Sequence, residues 1–156
     1  MGRTQKFSKE DIRSVMPQQP PFLFLDSAEL ADDCATGSYL ITGREDFLAG
    51  HFPGNPVFPA SIMLEALGQL AIFYLIKYDL AGGETRINSS RIFFTSTDGV
   101  RCTRICRPGD RLDFSVKLKR IRHPLGMFEG RVEVGGQPAA FAEKISLTFD
   151  YLNSKD

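Results

Sequence analysis

The chain has 156 residues and a mass of 17.4 kDa, and its 19 Lys+Arg are balanced by 19 Asp+Glu. A single domain over residues 1–156 is expected, able to bury roughly 70% of the surface its unfolded chain exposes, so neither a disulfide framework nor a structural metal is needed. Zero net charge argues against a dedicated nucleic-acid binder, and 42% apolar against 24% charged residues is too hydrophobic for a disordered chain.

Residues 1–13 are polar and lack the apolar core of a secretory signal. Met1-Gly2 opens like a myristoylation site, but Lys6 stands where Ser or Thr is required. The longest apolar stretch, residues 70–76, is too short to span a bilayer. The expectation is a cytoplasmic protein with neither membrane nor nucleic acid as partner. Three cysteines, Cys34, Cys102 and Cys106, form no disulfide pattern. Cys102 and Cys106 are four apart on a predicted strand and would share a face, which allows a zinc pair; free thiols in a reducing compartment are the plainer reading, and no metal is expected.

Along the chain, Ser8 is placed to cap a short helix over residues 8–16, with Glu10 and Asp11 in its first turn and Pro17 as its stop. The apolar run 22–25 reads as a buried strand, and 36–43 as another with Tyr39 and Ile41 on one face. In residues 46–60, Pro53, Pro56 and Pro59 recur every third position and forbid helix, making a stiff apolar loop. Residues 61–78 then read as a long helix, apolar nearly all round and therefore buried. Its exceptions, Ser61, Glu65, Gly68 and Gln69, fall on one stripe, and Gly82-Gly83 ends the region. Strands are predicted over 87–96, 100–106, 112–118, 127–134 and 139–151, with turns at 107–110, 123–126 and Gly135-Gly136. One buried helix followed by antiparallel hairpins is an α+β plan, the sheet wrapped around the helix.

Of the two histidines, His123 adjoins a turn proline and reads as a solvated loop residue. His51 lies in the stiff loop, either as a core histidine bonded to backbone or as a general base. Glu65 stands alone in an apolar helix. A buried carboxylate costs several kcal/mol unless partnered or protonated, so Glu65 either faces solvent or a dimer interface with Ser61 and Gln69, or sits in an apolar pocket as an acid. The helix N-terminus at Ala60 and Ser61 offers unpaired N–H groups that can polarise a carbonyl oxygen.

The stretch Gly50-His51-Phe52-Pro53-Gly54-Asn55-Pro56-Val57-Phe58-Pro59-Ala60-Ser61-Ile62-Met63-Leu64-Glu65-Ala66-Leu67-Gly68-Gln69 resembles the signature of the 3-hydroxyacyl-[acyl-carrier-protein] dehydratases of the hotdog fold, in the branch with a catalytic Glu. Met16-Pro17, residues 21–26, Arg104 and Pro108-Gly109-Asp110 extend the resemblance over most of the chain. It implies that His51 removes the Cα proton of a 3-hydroxyacyl thioester, with the Val57 carbonyl orienting its other ring nitrogen. Glu65 would protonate the departing hydroxyl, alone or through a water held by Gln69, and the N–H of Ala60, at the helix start with Ser61, would stabilise the enolate-like oxygen. The product would be a trans-2-enoyl thioester, formed with no cofactor. The two catalytic residues of one site would come from different subunits of a homodimer, alone or in a trimer of dimers. Phe58, Pro59 and Phe94 are candidate walls of an acyl tunnel, or plain core. Arg101, Arg104, Lys117, Lys119, Arg120 and Arg122 make a basic β region suited to an acidic acyl carrier protein, or a solvated strand face guarded against aggregation.

Three departures are visible: Ala60 stands where the family has Gly, Gln18-Gln19-Pro20 where it has His-Arg-Tyr, and Ile105 where it has Pro. They bear on the substrate, and admit a specialised lipid or polyketide pathway beside fatty-acid synthesis. The other readings are a hotdog thioesterase in which Glu65 activates water, and a non-catalytic acyl-binding subunit.

Overall fold

The long helix forms as α2, Ala60–Lys77, in the computed structural model, which describes residues 3–78 and 86–152. Pro59 sets its start, with φ −62° and an extended ψ of 133°, so the chain enters the helix from a fixed direction. Leu67, Leu70, Ala71, Phe73 and Leu75 are fully buried, which places apolar contacts on almost every side of the helix. By length and composition α2 could cross a bilayer, but here it is the centre of the core. The expected stop at Gly82-Gly83 lies outside the described residues.

The sheet that covers α2 has seven strands: β1 (Gln5–Ser8), β2 (Ser27–Leu30), β3 (Cys34–Leu40), β4 (Phe93–Cys102), β5 (Arg111–Arg122), β6 (Leu125–Val134) and β7 (Gln137–Thr148). They pair antiparallel in the order β1-β2-β3-β5-β6-β7-β4. On β5, Leu112, Phe114 and Val116 point to the core while Asp113, Ser115 and Lys117 point away, the alternation a half-buried strand requires. The short helix α1 (Lys9–Arg13) begins at Ser8, whose side chain and that of Asp11 cap each other's backbone.

Four expectations about elements need correction. Residues 23–25 are buried and Phe22 is half-exposed, but the segment is not a strand, because the Gln69 side chain takes up the Phe24 N–H and the Phe22 carbonyl in place of a neighbouring strand. The two strands expected over 87–96 and 100–106 are one: a 3-10 turn at Ser89–Arg91, capped by the Asn88 side chain, precedes β4, and β4 runs straight through Asp98-Gly99. The ladder to β7 holds that dipeptide in the strand, since Asp98 faces Lys144 and Val100 faces Ala142. Cys102 and Cys106 do not share a strand face; β4 ends at exposed Cys102, and Cys106 is buried beyond it with its thiol pushed up by desolvation. The last strand stops at Thr148 rather than at 151, and Tyr151 forms an isolated bridge with Ile87.

Close approach of β3 to α2 occurs at Gly37, where a Cβ would lie 2.9 Å from the Ser27 carbonyl oxygen and 3.3 Å from Leu70 Cδ1. The first of these neighbours is ladder backbone and cannot yield cheaply. Gly37→Val is therefore expected to destabilise the fold by about 3 kcal/mol, the upper end of overpacking penalties, read as a lowered denaturation midpoint in urea.

Candidate active site

His51 is held at both ends of a short backbone circuit. Its Nδ1–H donates to the Val57 carbonyl at 2.7 Å, and the Val57 N–H donates back to the His51 carbonyl at 2.8 Å. A carbonyl can only accept, so Nδ1 carries the proton and Nε2 is left with its lone pair. Phe52 stacks on the imidazole, the ring centroids 4.2 Å apart. Phe52 and Asn55 exchange two backbone hydrogen bonds, of 3.0 and 2.8 Å, which close the turn that Pro53-Gly54 makes.

Upstream, the 3-10 turn Asp46–Ala49 follows Glu45, whose carboxylate accepts from the Tyr39 hydroxyl and from the N–H groups of Thr42 and Gly43, each at 2.8 Å. Burial alone would push that carboxyl up, but these hydrogen bonds prevail and hold it below its usual value. Downstream, the Phe58 N–H donates to the Cys106 carbonyl at 2.8 Å, and the Pro59 carbonyl receives the N–H groups of Ile62 and Met63. The N–H groups of Ala60 and Ser61 precede these at the open, positive end of α2.

A cavity of about 370 Å³ lies against this end, lined by His51, Val57, Phe58, Ala60 and Met63 from the loop and helix and by Cys102, Thr103, Arg104 and Ile105 from the segment leaving β4. The structure thus brings His51, Val57, Phe58, Ala60 and Arg104 together at one cavity. Ser61 is exposed on the first turn of α2, and Pro59 is buried beneath it. Phe58 is also core, packed against Phe24, Tyr39 and Phe47 at centroid distances of 6.5, 5.8 and 5.6 Å.

Glu65 is not part of that cavity's lining. It sits further along α2, half-buried, where its Oε1 accepts from Gln69 Nε2 at 3.0 Å. The second Nε2 hydrogen goes to the Phe22 carbonyl at 3.1 Å, and Gln69 Oε1 takes the Phe24 N–H at 2.8 Å. Both amide donors are occupied, one of them by the Glu65 carboxyl itself. The stripe of Ser61, Glu65, Gly68 and Gln69 is likewise not uniformly outward: Gly68 and Gln69 are buried. Phe94 lies across the helix at Gly68, so close that a Cβ there would stand 2.6 Å from the Phe94 ring, and it does not reach the His51 cavity.

The basic residues do not form one patch. Arg101 lies on edge strand β4 and Arg104 just beyond it, whereas Lys117, Lys119 and Arg120 are on β5, with β6 and β7 between them. Lys119 is paired with Glu129 at 3.2 Å, and Arg120 and Arg122 line a separate hollow with His123. His123 contacts Asp150 at 3.2 Å and stacks on Tyr151. Sequence reading missed Met63, Cys102, Thr103 and Ile105 as cavity residues and Arg107 as a partner of the loop. Met63 sits at i+3 from Ala60, a spacing that could have placed it; the other four depend on a contact between distant parts of the chain.

An apolar helix enclosed by an antiparallel sheet, with a histidine loop at the helix start, defines a hotdog-fold protein. A family profile described as a FabA-like domain matches residues 16–143. The 3-hydroxyacyl-[acyl-carrier-protein] dehydratase FabZ of Thermomicrobium roseum is 35% identical over 141 residues, 89% of this chain and 91% of that protein. FabZ of Chloroflexus aggregans is 34% identical over 145 residues, 92% and 96% of the two chains. Among solved structures, the dehydratase heterocomplex ApeI:P from Xenorhabdus doucetiae superposes with a TM-score of 0.71 at 15% identity, covering 92% of each chain, which shows the shared fold. The chain belongs to the FabA-like family of 3-hydroxyacyl-[acyl-carrier-protein] dehydratases.

Proposed function

We propose that this chain removes water from 3-hydroxyacyl thioesters carried on acyl carrier protein, giving trans-2-enoyl thioesters. The observation that carries the roles is the His51 circuit: a ring locked as Nδ1–H by Val57, with Nε2 free at a cavity that also contains the helix start. Nε2 takes the Cα proton, and the N–H of Ala60, with that of Ser61 beside it, stabilises the negative charge that gathers on the thioester oxygen. The Cβ–O bond then breaks, and Glu65, held by Gln69, delivers the proton that releases the hydroxyl as water.

One chain supplies His51 to the cavity but not Glu65, so the working unit is a homodimer in which the partner's carboxyl completes the site. Edge strand β4, whose residues are exposed almost throughout and include Phe93, Phe94 and Val100, is the natural surface for that pairing. In such a dimer Phe58, Pro59 and Phe94 are proposed to wall the acyl chain, with the Ala60 methyl narrowing the thioester end. Arg101 and Arg104, at the cavity side, are the better placed of the basic residues to meet an acidic carrier. The proposed location is the cytoplasm.

The test incubates the purified protein with 3-hydroxyacyl thioesters of several chain lengths, on carrier protein and on CoA, and follows them by mass spectrometry. Loss of one water without release of free thiol is expected, faster on the carrier. Thiol release without enoyl product would overturn the assignment in favour of a thioesterase.

A further inference from the structure

Arg107 reaches across from the segment after β4 to the histidine loop. Its Nη1 donates to Asn55 Oδ1 at 2.6 Å and to the Pro56 carbonyl at 3.4 Å. Asn55 and Pro56 immediately precede Val57, the residue that sets the His51 tautomer. One residue before Arg107, the Cys106 carbonyl takes the Phe58 N–H. The segment 55–58 is thus gripped from the same strand of chain on both sides of Val57, by a guanidinium before it and a backbone bond after it.

The grip has a firm base. The Arg107 N–H donates to Asp110 Oδ2 at 2.9 Å, and Asp110 N–H returns to the Arg107 carbonyl at 3.0 Å. Gly109, at φ +94°, makes the turn that lets its N–H reach the Ile41 carbonyl, while Ile41 donates to the Asp110 carbonyl. Arg107 therefore stands on a turn fixed to the end of β3, itself part of the central sheet. A guanidinium suits the task because two acceptors, an amide oxygen and a carbonyl, lie within reach of one planar head.

We infer that Arg107 is a positioning residue for His51, a strap that fixes the Val57 carbonyl and through it the ring nitrogen left free to act as base. The inference rests on the dehydratase reading for its catalytic consequence, but its structural half can be read without any turnover. The chain has two histidines, so protein labelled with ¹⁵N-histidine gives two imidazoles, assigned by comparison with His123→Gln. Above about pH 8, where an ordinary imidazole is neutral, wild-type His51 is expected to show a single Nδ1–H tautomer. Arg107→Ala is expected to show a mixture of both tautomers, Asn55→Ala a similar mixture, and Arg107→Lys a state between these and the wild type.

In turnover, Arg107→Ala is expected to lower kcat by about tenfold with KM nearly unchanged, since a small misplacement of the base affects the reacting geometry more than binding. Adding Asn55→Ala to it should lower kcat little further, because both act through one contact. A thermal melt of each variant separates this from a loss of fold, and the Lys variant supplies a conservative check. An unchanged Nδ1–H tautomer in folded Arg107→Ala would overturn the strap while leaving the dehydratase reading intact. If instead the tautomer responds but His51→Ala retains full activity, the strap stands and the dehydratase roles fail.

Discussion

Replacing His51 with alanine is expected to lower kcat for dehydration by about 10³-fold, the middle of the range for loss of a positioned general base. The size follows from the absence of a substitute at the cavity. Its other lining side chains are Val57, Phe58, Ala60, Met63, Cys102, Thr103, Arg104 and Ile105, none of them an imidazole or a carboxylate. The Cys102 thiol, at the end of β4, has no hydrogen-bond partner among the described residues to fix it as the imidazole is fixed. The chain's second histidine is engaged with Asp150 and Tyr151 in another part of the surface. The fold should tolerate the change. Among the described residues the ring's one hydrogen bond is to Val57, worth about 1 kcal/mol net, and His51 is partly solvent-accessible, so water can replace it at the carbonyl. The measurement is the initial rate of 3-hydroxyacyl to enoyl conversion on carrier protein, alongside a thermal melt. A folded variant within twofold of the wild-type rate would remove His51 from the chemistry.

The parts of the site that were legible in the sequence are those held by local chemistry. Pro53, Pro56 and Pro59 announce a loop that cannot be helix, and the same prolines set the His51–Val57 circuit six residues across. The start of α2 was placed to within one residue because Pro59 can precede a helix but not continue it backwards. Contacts between distant segments were not legible. Residues 22–25 look like a strand by composition, and only the Gln69 side chain, more than forty residues away, explains why their backbone groups need no neighbouring strand. Two strands are expected over 87–96 and 100–106, yet the ladder to β7 pairs Asp98 and Val100, carries through Gly99 at φ +61° and joins them into one. The basic residues of β4 and β5 are close in sequence, and the sheet order places two strands between them. The burial of Gln69 has the same origin: its stripe position suggested an amide facing solvent or a dimer interface, whereas the backbone of Phe22 and Phe24 engages it.

That engagement separates the chemistry of Glu65 from its placement, and two substitutions should show it. Glu65→Gln retains an amide oxygen that can accept from Gln69 Nε2, so the hydrogen-bonded cluster and the unfolding midpoint should be unchanged. What it loses is the transferable proton, and kcat is expected to fall by about 10³-fold, as for loss of a general acid. Gln69→Leu keeps that proton but removes all three hydrogen bonds of the amide. Phe24 is 1% exposed, so its N–H is left without a partner and without water. Phe22 is half-exposed, and its carbonyl can rehydrate. A single buried orphan of this kind, with smaller losses at Phe22 and Glu65, gives an expected destabilisation of about 3 kcal/mol. The rate should fall less than in Glu65→Gln, by about tenfold, because a loosened carboxyl still reaches the leaving group part of the time. Urea unfolding and initial rates measured on both proteins decide the matter: a large rate loss at constant stability in one, and a large stability loss with a modest rate loss in the other. If Glu65→Gln turned over at the wild-type rate, the carboxyl would be a packing residue of α2 and the acid would have to be sought elsewhere. If Gln69→Leu unfolded at the wild-type midpoint, the amide would not be what holds residues 22–25 to the helix.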